Sequence, residues 1–226
     1  VLWDTLGDKE KASEHHRMAL EILEKEPESV ELASLYEDIS RMLWRSGEPA
    51  NAISLTQKAF ELAEKLGSPE ILAKCYSNLG IFGFHSGEFE KAVKYLENGL
   101  KIAIENNCIE PALRLYNNLA IGYEEIGDFQ RAFEKRREGF ELAKKVGETH
   151  LMSWIGVMLA WSYWFMGETP KLFSIQEELL ALNKRTKNTI GIAQVIGSFG
   201  IAYGVLGEWG KSLQYLMEAR DIIKKV

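Results

Sequence analysis

Bulky aromatic residues that could bind an apolar ligand are concentrated between residues 154 and 164. Trp154, Trp161 and Trp164 are three of the six tryptophans, and with Met158 they recur at a helical spacing that places them on one face of a helix. Tryptophan is enriched in binding hot spots, and ligand pockets are mostly apolar with a few polar groups. The pattern indicates a binding surface, but it also fits large side chains packed between helices.

A glycine-rich stretch follows about forty residues later and could face these tryptophans. Gly197, Gly200 and Gly204 form a nearly bare strip at helical spacing. Tryptophans opposite glycines that have no side chain predict a hollow between the two helices, and Gln194 and Ser198 could supply polar contacts to it. In the other interpretation the tryptophans simply fill the strip.

Asparagines form the second group of candidate binding residues: Asn78, Asn117 and Asn118. A side-chain amide can pair with both the N–H and the C=O of an extended peptide, and asparagine is slightly unfavourable inside a helix. Three basic residues nearby could attract an acidic segment: Arg41, Lys74 and Arg114. Neighbouring glutamates and aspartates dilute that charge, so a solvated polar helix face is the alternative interpretation.

Catalytic, metal-binding and cofactor-binding patterns are absent from the sequence. Cys75 and Cys108 form no CxxC pair, the four histidines form no HExxH motif, and there is no phosphate-binding loop or nucleophile elbow. We therefore predict neither an enzyme nor a metal or cofactor site. The net charge of −6 argues against binding to nucleic acid or anionic lipid. No apolar run reaches the ~18–20 residues of a membrane span, and the expected location is the cytoplasm.

A 40-residue repeat organises the whole chain. It is marked by a glycine that an acidic residue always follows: Gly7, Gly47, Gly87, Gly127, Gly167 and Gly207. Relative to this glycine, large apolar residues recur at −8 and −4, and small residues recur at −7, +5 and +12. The pattern predicts a pair of closely packed helices in each repeat, with the glycine in a left-handed conformation at the end of the first helix.

The helix-ending glycines and the apolar spacing predict eleven helices, and no segment shows the alternation of apolar and polar residues that is typical of a strand. We predict them at 9–25, 28–45, 49–66, 69–85, 89–105, 109–125, 129–146, 149–165, 170–185, 189–205 and 209–225. The predicted fold class is all-α, a right-handed superhelical solenoid of antiparallel helix pairs with about five and a half repeats.

The stretches Tyr76–Gly80 with Gly87–Ala92, and Tyr116–Ala120 with Gly127–Ala132, resemble a tetratricopeptide repeat. The usual repeat has about 34 residues; the longer form here is similar to adaptors of the LGN type and to the sensor arrays of MalT-type regulators. The resemblance implies that the first helix of each pair lines an inner groove, which binds peptides or, less often, small effectors.

A single array over 1–226 is the predicted domain organisation. Its approximate repeats are 1–26 (partial), 27–67, 68–107, 108–147, 148–187 and 188–226. Val1 to Leu6 resemble the end of a missing first helix, and no polar capping helix closes the array, so we expect a piece of a longer protein.

Groove positions at −13, −10, −6 and −3, with the asparagines and Met158, give the predicted binding set. Its members are Arg41, Trp44, Lys74, Asn78, Phe84, Arg114, Asn117, Asn118, Trp154, Met158, Trp161, Trp164, Gln194, Gly197 and Ile201. The main functional prediction is a scaffold that binds a peptide or protein segment in this groove. The alternatives are a sensor array with a small effector in the hollow of repeats five and six, and either a purely structural spacer or an array that self-associates end to end.

Overall fold

The computed structural model describes residues 9–225, with no account of the side chains of Lys9 and His150. Within that range the chain forms eleven α-helices and no strand: α1 (Lys9–Leu23), α2 (Val30–Arg45), α3 (Pro49–Leu66), α4 (Pro69–His85), α5 (Phe89–Glu105), α6 (Ile109–Glu125), α7 (Phe129–Val146), α8 (Thr149–Phe165), α9 (Thr169–Arg185), α10 (Thr189–Val205) and α11 (Trp209–Ile223). None of these described helices is long and apolar enough to cross a membrane. The predicted marker Gly7, its acid Asp8 and the helix end at 1–6 lie outside the described residues.

The eleven predicted helices are confirmed, and their bounds differ only at a few ends. Helix α2 begins at Val30 because the Ser29 side chain accepts a hydrogen bond from the backbone N–H of Leu32, which caps the helix there. Helix α9 begins at Thr169, one residue before the predicted start, and Glu168 holds the cap position.

Left-handed residues end the helices as the repeat predicts. The five described marker glycines have φ between 76° and 82°, a region that costs glycine no steric strain. Helices α3 and α7 end at Gly67 and Gly147 in the same conformation. After α5 and α9, the corresponding positions are Asn107 and Lys187, both with φ of 55°.

The chain divides into two compact units, Val1–Gly127 (unit 1) and Asp128–Val226 (unit 2). We call the first helix of each pair the leading helix (α2, α4, α6, α8 and α10) and the second the trailing helix. In unit 1, α2 packs on α3 and α4 on α5, and the leading helices α2, α4 and α6 contact one another in order. Unit 2 contains the pairs α8–α9 and α10–α11, with α7 packed on α8 and α8 in contact with α10.

Small residues allow the paired helices to approach closely. In repeat three, a Cβ atom on Gly99 would lie 2.8 Å from the Cβ of Tyr76, so only glycine fits opposite this large residue. Repeat five reverses the two sizes: Gly156 replaces the large residue and Leu179 the small one, and a Cβ on Gly156 would lie 2.7 Å from Leu179 Cδ1. The large and small side chains are therefore exchanged between the paired helices α8 and α9.

Candidate functional site

Hydrogen bonds between side chains connect successive leading helices of unit 1. Asn78 Nδ2 of α4 donates to Glu37 Oε1 of α2 at 3.2 Å, and Asn118 Nδ2 of α6 donates to Ser77 Oγ of α4 at 2.9 Å. Each donor follows its acceptor by 41 residues, which is one repeat plus one position. The asparagine amides therefore hold neighbouring leading helices together.

Two of the three predicted ligand-binding asparagines are buried. Asn78 is 4% exposed and Asn117 is 0% exposed, so the surface presents neither amide to a ligand. Neither amide atom of Asn117 has a hydrogen-bond partner among the described residues. This burial corrects the predicted role of both residues, whereas Asn118 remains half-buried.

The predicted basic residues of unit 1 are paired with acids one helical turn away. Arg41 Nη2 lies 2.5 Å from Asp38 Oδ1, and Lys74 Nζ lies 2.6 Å from Glu70 Oε1. Arg114 is similarly paired with Glu110. Exposed pairs of this kind contribute only about 0–1 kcal/mol. Their acids do, however, cancel the positive charge that would attract an acidic segment.

Glu37 is a buried carboxyl at the centre of this polar face. Burial raises its pKa from the ordinary 4.5, and the nearby Arg41 guanidinium, whose Nε lies 3.8 Å from Glu37 Oε1, opposes that rise. Asp38 adds to the rise, while Lys74 and the Asn78 hydrogen bond oppose it. Glu37 is therefore a buried hydrogen-bond acceptor in the contact between α2 and α4.

A cavity of about 460 Å³ lies on the leading-helix face between α4 and α6. We call it the Ile121 cavity; its lining residues are Ile81, Phe84, His85, Asn118, Ile121 and Glu125. The predicted residues Phe84 and Asn118 are brought together here. Three apolar side chains form the walls and three polar side chains complete the lining, a composition typical of ligand pockets.

Gly122 makes room for one wall of the Ile121 cavity. A Cβ atom on Gly122 would overlap the ring of Phe84. The Phe84 ring also lies near Phe89, with 6.4 Å between the ring centroids. The aromatic wall therefore depends on a glycine in the adjacent helix, a relation that the spacing of residues within one repeat does not reveal.

A second cavity, of about 420 Å³, lies where the turn between α2 and α3 meets α4. We call it the Trp44 cavity; it is lined by Trp44, Gly47, Pro49, Ile53, Phe82, His85 and Ser86. The Trp44 ring lies 4.3 Å from that of Phe82 and 4.9 Å from that of His85, measured between centroids. Sequence analysis predicted Trp44 but missed His85, because an isolated histidine carries no motif and only the fold places it between two cavities.

The tryptophans of α8 are only partly covered. Trp154 is 36% exposed, Trp161 and Trp164 are half-buried, and the centroids of the last two rings lie 6.1 Å apart. Phe165 extends the aromatic surface, with its ring 4.9 Å from that of Trp164. Met158 is half-buried on the same helix. The α8 indoles thus keep some surface for contacts, and their role in binding stays a prediction.

The glycines of α10 face α11. A Cβ on Gly200 would lie 2.7 Å from Leu216 Cγ, and one on Gly204 would lie 3.0 Å from Ser212 Oγ. A Cβ on Gly197 would meet Ala219 at 3.7 Å. These contacts correct the predicted bare strip, since the missing side chains allow α11 to approach.

The remaining predicted residues of α10 lie at the surface. Gln194 and Ile201 are both exposed. Ser198, which was expected to offer a polar contact in the hollow, is buried and accepts a hydrogen bond from Gln176 Nε2 at 2.6 Å. Of these three residues, Gln194 and Ile201 are accessible to a ligand and Ser198 is not.

Comparisons with known proteins agree with this architecture. Residues 31–105 match the family model described as Tetratricopeptide repeat, and no curated protein matches the sequence. The crystal structure of BtubC (BKLC) from P. vanneervenii has 21% identity and a TM-score of 0.71, and the match covers 100% of this chain and 92% of that chain.

Two regulators have similar structures. The Rap conjugation gene regulator of plasmid pLS20, in complex with a Phr peptide, has 15% identity and a TM-score of 0.69, over 99% of this chain and 71% of that one. A Signal Transduction ATPase with Numerous Domains from Pyrococcus horikoshii, which carries a tetratricopeptide repeat sensor, has 16% identity and a TM-score of 0.68, over 92% of this chain and 33% of that one. At these identities the likeness shows the fold alone: an all-α solenoid of the tetratricopeptide type. The finer resemblance to LGN-type and MalT-type arrays stays a prediction.

Proposed function

We propose that this chain is a protein-interaction module, and that it binds a peptide or partner segment on the leading helices of unit 1. The observation that carries the proposal is the Ile121 cavity, which opens on the helix face that the repeat leaves free of intra-pair packing. The peptide-bound Rap regulator, a protein of the same fold, supports this class of function by analogy.

The size and lining of the Ile121 cavity fit a peptide side chain. Its volume of about 460 Å³ lies at the lower end of the range for ligand pockets, about 300–1,000 Å³. Burial of one large apolar side chain contributes about 1.5–3 kcal/mol. Because this is too little for a stable complex on its own, the segment must also contact residues outside the cavity.

A sensor array for a small effector, the second function considered from the sequence, required a hollow between repeats five and six. Packing of Gly200 and Gly204 against α11 takes up the space that this hypothesis assigned to an effector. The half-covered indoles of α8 do not by themselves favour a small ligand over a protein surface. We therefore rank peptide binding first.

A peptide selection with matched variants tests the proposal. Peptides would be selected from a random phage-displayed library on the wild-type chain, and their affinities measured by fluorescence anisotropy. Ile121→Ser should weaken binding at least about tenfold, because it removes apolar contact worth over 1 kcal/mol. The control is Ile104→Ser on α5 of the same unit, since Ile104 is also exposed and lines neither cavity.

The same selection separates the two candidate surfaces. Equal affinities for the Ile121→Ser and Ile104→Ser variants would contradict binding at the Ile121 cavity. Loss of binding in Trp161→Ala alone would instead assign recognition to α8. A selection that yields no binding peptide would remove the proposed function altogether.

A further inference from the structure

His85 lies between the Ile121 cavity and the Trp44 cavity of unit 1. It is the last residue of α4, and its side chain lines both the Ile121 cavity and the Trp44 cavity. The two spaces have similar volumes, about 460 and 420 Å³. A bound segment that fills one of them therefore passes directly beside the other.

The Trp44 cavity favours an uncharged, apolar group. Its walls are the Trp44 and Phe82 rings with Pro49 and Ile53, and His85 is its only lining side chain that can carry charge. Contact between the Trp44 and His85 rings orients the imidazole at the boundary of the cavity. An aromatic or branched aliphatic side chain can bury its surface here without leaving a polar group unpaired.

The Ile121 cavity carries negative charge at its edge. Glu125 is exposed, lines this cavity and has no ion pair among the residues that the structure describes. It is also the last residue of α6, and α4 ends close by at His85. The carbonyl groups at two helix C-termini add partial negative charge, so a cation is favoured at this edge.

We propose that the two cavities act as one site, and that their occupant is a protein segment with two large apolar side chains, one on each side of His85, and a Lys or Arg that meets Glu125. The proposal rests on the proposed function and specifies its partner. An acidic segment is disfavoured at Glu125, and a single apolar anchor would leave the Trp44 cavity empty.

Two anchors also give the site directionality. Since the lining of the Ile121 cavity contains a carboxylate and that of the Trp44 cavity does not, the anchor adjacent to the cation enters the Ile121 cavity and the other anchor enters the Trp44 cavity. Reversal of the segment would place its cation beside the Trp44 cavity, whose lining holds no carboxylate. The arrangement therefore selects the order of residues as well as their types.

Peptides selected from the random library on the full chain provide the first test. The expected consensus has two large apolar residues and a Lys or Arg near one of them. With a fluorescein-labelled selected peptide, Ile53→Ser should lower affinity about tenfold. The control Leu213→Ser changes the same +6 position of repeat six, which is also exposed, and should leave affinity unchanged. Circular dichroism spectra of both variants confirm that the helices form.

Charge reversal provides the second test. Glu125→Lys should lower affinity about tenfold for the selected peptide and restore it for a peptide whose cation is replaced by Glu. Glu218→Lys, an exposed change on α11, should do neither.

The outcomes distinguish this inference from the proposed function. If Ile121→Ser weakens binding but Ile53→Ser does not, or if charge reversal has no effect, the two-anchor cationic partner is wrong while peptide binding stands. If no peptide binds, or if Ile121→Ser acts like its control, both proposals fall.

Discussion

In repeat five the small residue, Gly156, is on the leading helix and the large one, Leu179, is on the trailing helix, which is the reverse of repeat three. We predict that substitutions at these two contacting residues are energetically coupled. A Cβ on Gly156 would lie 2.7 and 2.9 Å from the two δ-carbons of Leu179 and 2.9 Å from Phe140 Cε2. Leu179 is fully buried and Phe140 nearly so, which leaves neither side chain free to swing into solvent. Gly156→Ala must therefore strain the pair of helices α8 and α9 or displace Phe140.

The magnitudes follow from opposing effects. Overpacking costs typically about 1–3 kcal/mol, and replacing Gly by Ala inside a helix returns about 1 kcal/mol, so Gly156→Ala should destabilise by roughly 0–2 kcal/mol. Leu179→Ala empties a fully buried site and should cost about 2–5 kcal/mol. In the double variant the new methyl no longer meets the leucine and fills part of the cavity. We expect it to be about 1–2 kcal/mol more stable than the sum of the single changes predicts.

Equilibrium urea unfolding of the four proteins in this cycle measures the coupling. Four of the six tryptophans belong to unit 2, so their fluorescence reports mainly on the unit that contains the substitutions, and circular dichroism reports on all helices. Gly210→Ala is the control, because a Cβ there would have no neighbour within 4 Å, and it should stabilise by up to about 1 kcal/mol. The proposed contact between Gly156 and Leu179 would be refuted if the free-energy changes of the two single variants summed to that of the double variant within about 0.5 kcal/mol. It would also be refuted if Gly156→Ala were as stable as Gly210→Ala.

Three further predictions concern backbone strain, a buried acid and the thiols. Lys187→Gly should raise the free energy of unfolding by up to about 1 kcal/mol, because glycine tolerates the φ of 55° that strains lysine. The urea midpoint measures this change, and an unchanged midpoint would mean that the backbone at Lys187 is not strained. Because burial raises the pKa of Glu37 above 4.5, its contribution to stability falls as pH rises from about 4.5 towards the folded-state pKa. Glu37→Gln should therefore be the more stable protein at neutral pH and lose that advantage in mild acid, as urea unfolding at both pH values would show; the opposite trend would contradict a raised pKa. Burial also raises the pKa of the Cys75 thiol, whereas Cys108 is half-exposed, so a thiol reagent should label Cys108 first. Mass spectrometry of the labelled peptides measures the order, and labelling of Cys75 first would contradict this prediction.

The helices could be predicted almost residue by residue because the signals that bound them are local. A glycine in the left-handed region ends a helix whatever its neighbours are, and the marker glycines recur without insertion. The exceptions also have local causes. The side chain of Ser29 caps α2 and delays its start, and Asn107 and Lys187 end helices although neither is a glycine.

The candidate site was less predictable because it depends on which residue of another helix lies opposite. The spacing of Gly200 and Gly204 shows that they share a helix face, but it does not tell whether α8 or α11 covers that face. Asn78 was placed correctly in the middle of a helix, but its burial depends on the contact of α4 with α2, where Asn78 donates to Glu37. His85, in repeat three, is surrounded by residues of α2 and α3 from repeat two and of α6 from repeat four, so its position depends on three successive repeats.

The hydrogen bonds between leading helices explain where recognition can occur in unit 1. Positions −10 and −9 relative to the marker glycine hold the pairs Glu37–Asn78 and Ser77–Asn118, so their polar groups are engaged between helices. The positions that remain accessible, −6, −3 and −2, lie nearer the C-terminal ends of the same helices and include Ile81, Phe84, His85 and Ile121. Changes at −10 and −9 should therefore act mainly on stability, and changes at −6, −3 and −2 mainly on the proposed peptide binding. Asn118 belongs to both groups because it ties α6 to α4 and also lines the Ile121 cavity, so its substitution should affect both properties.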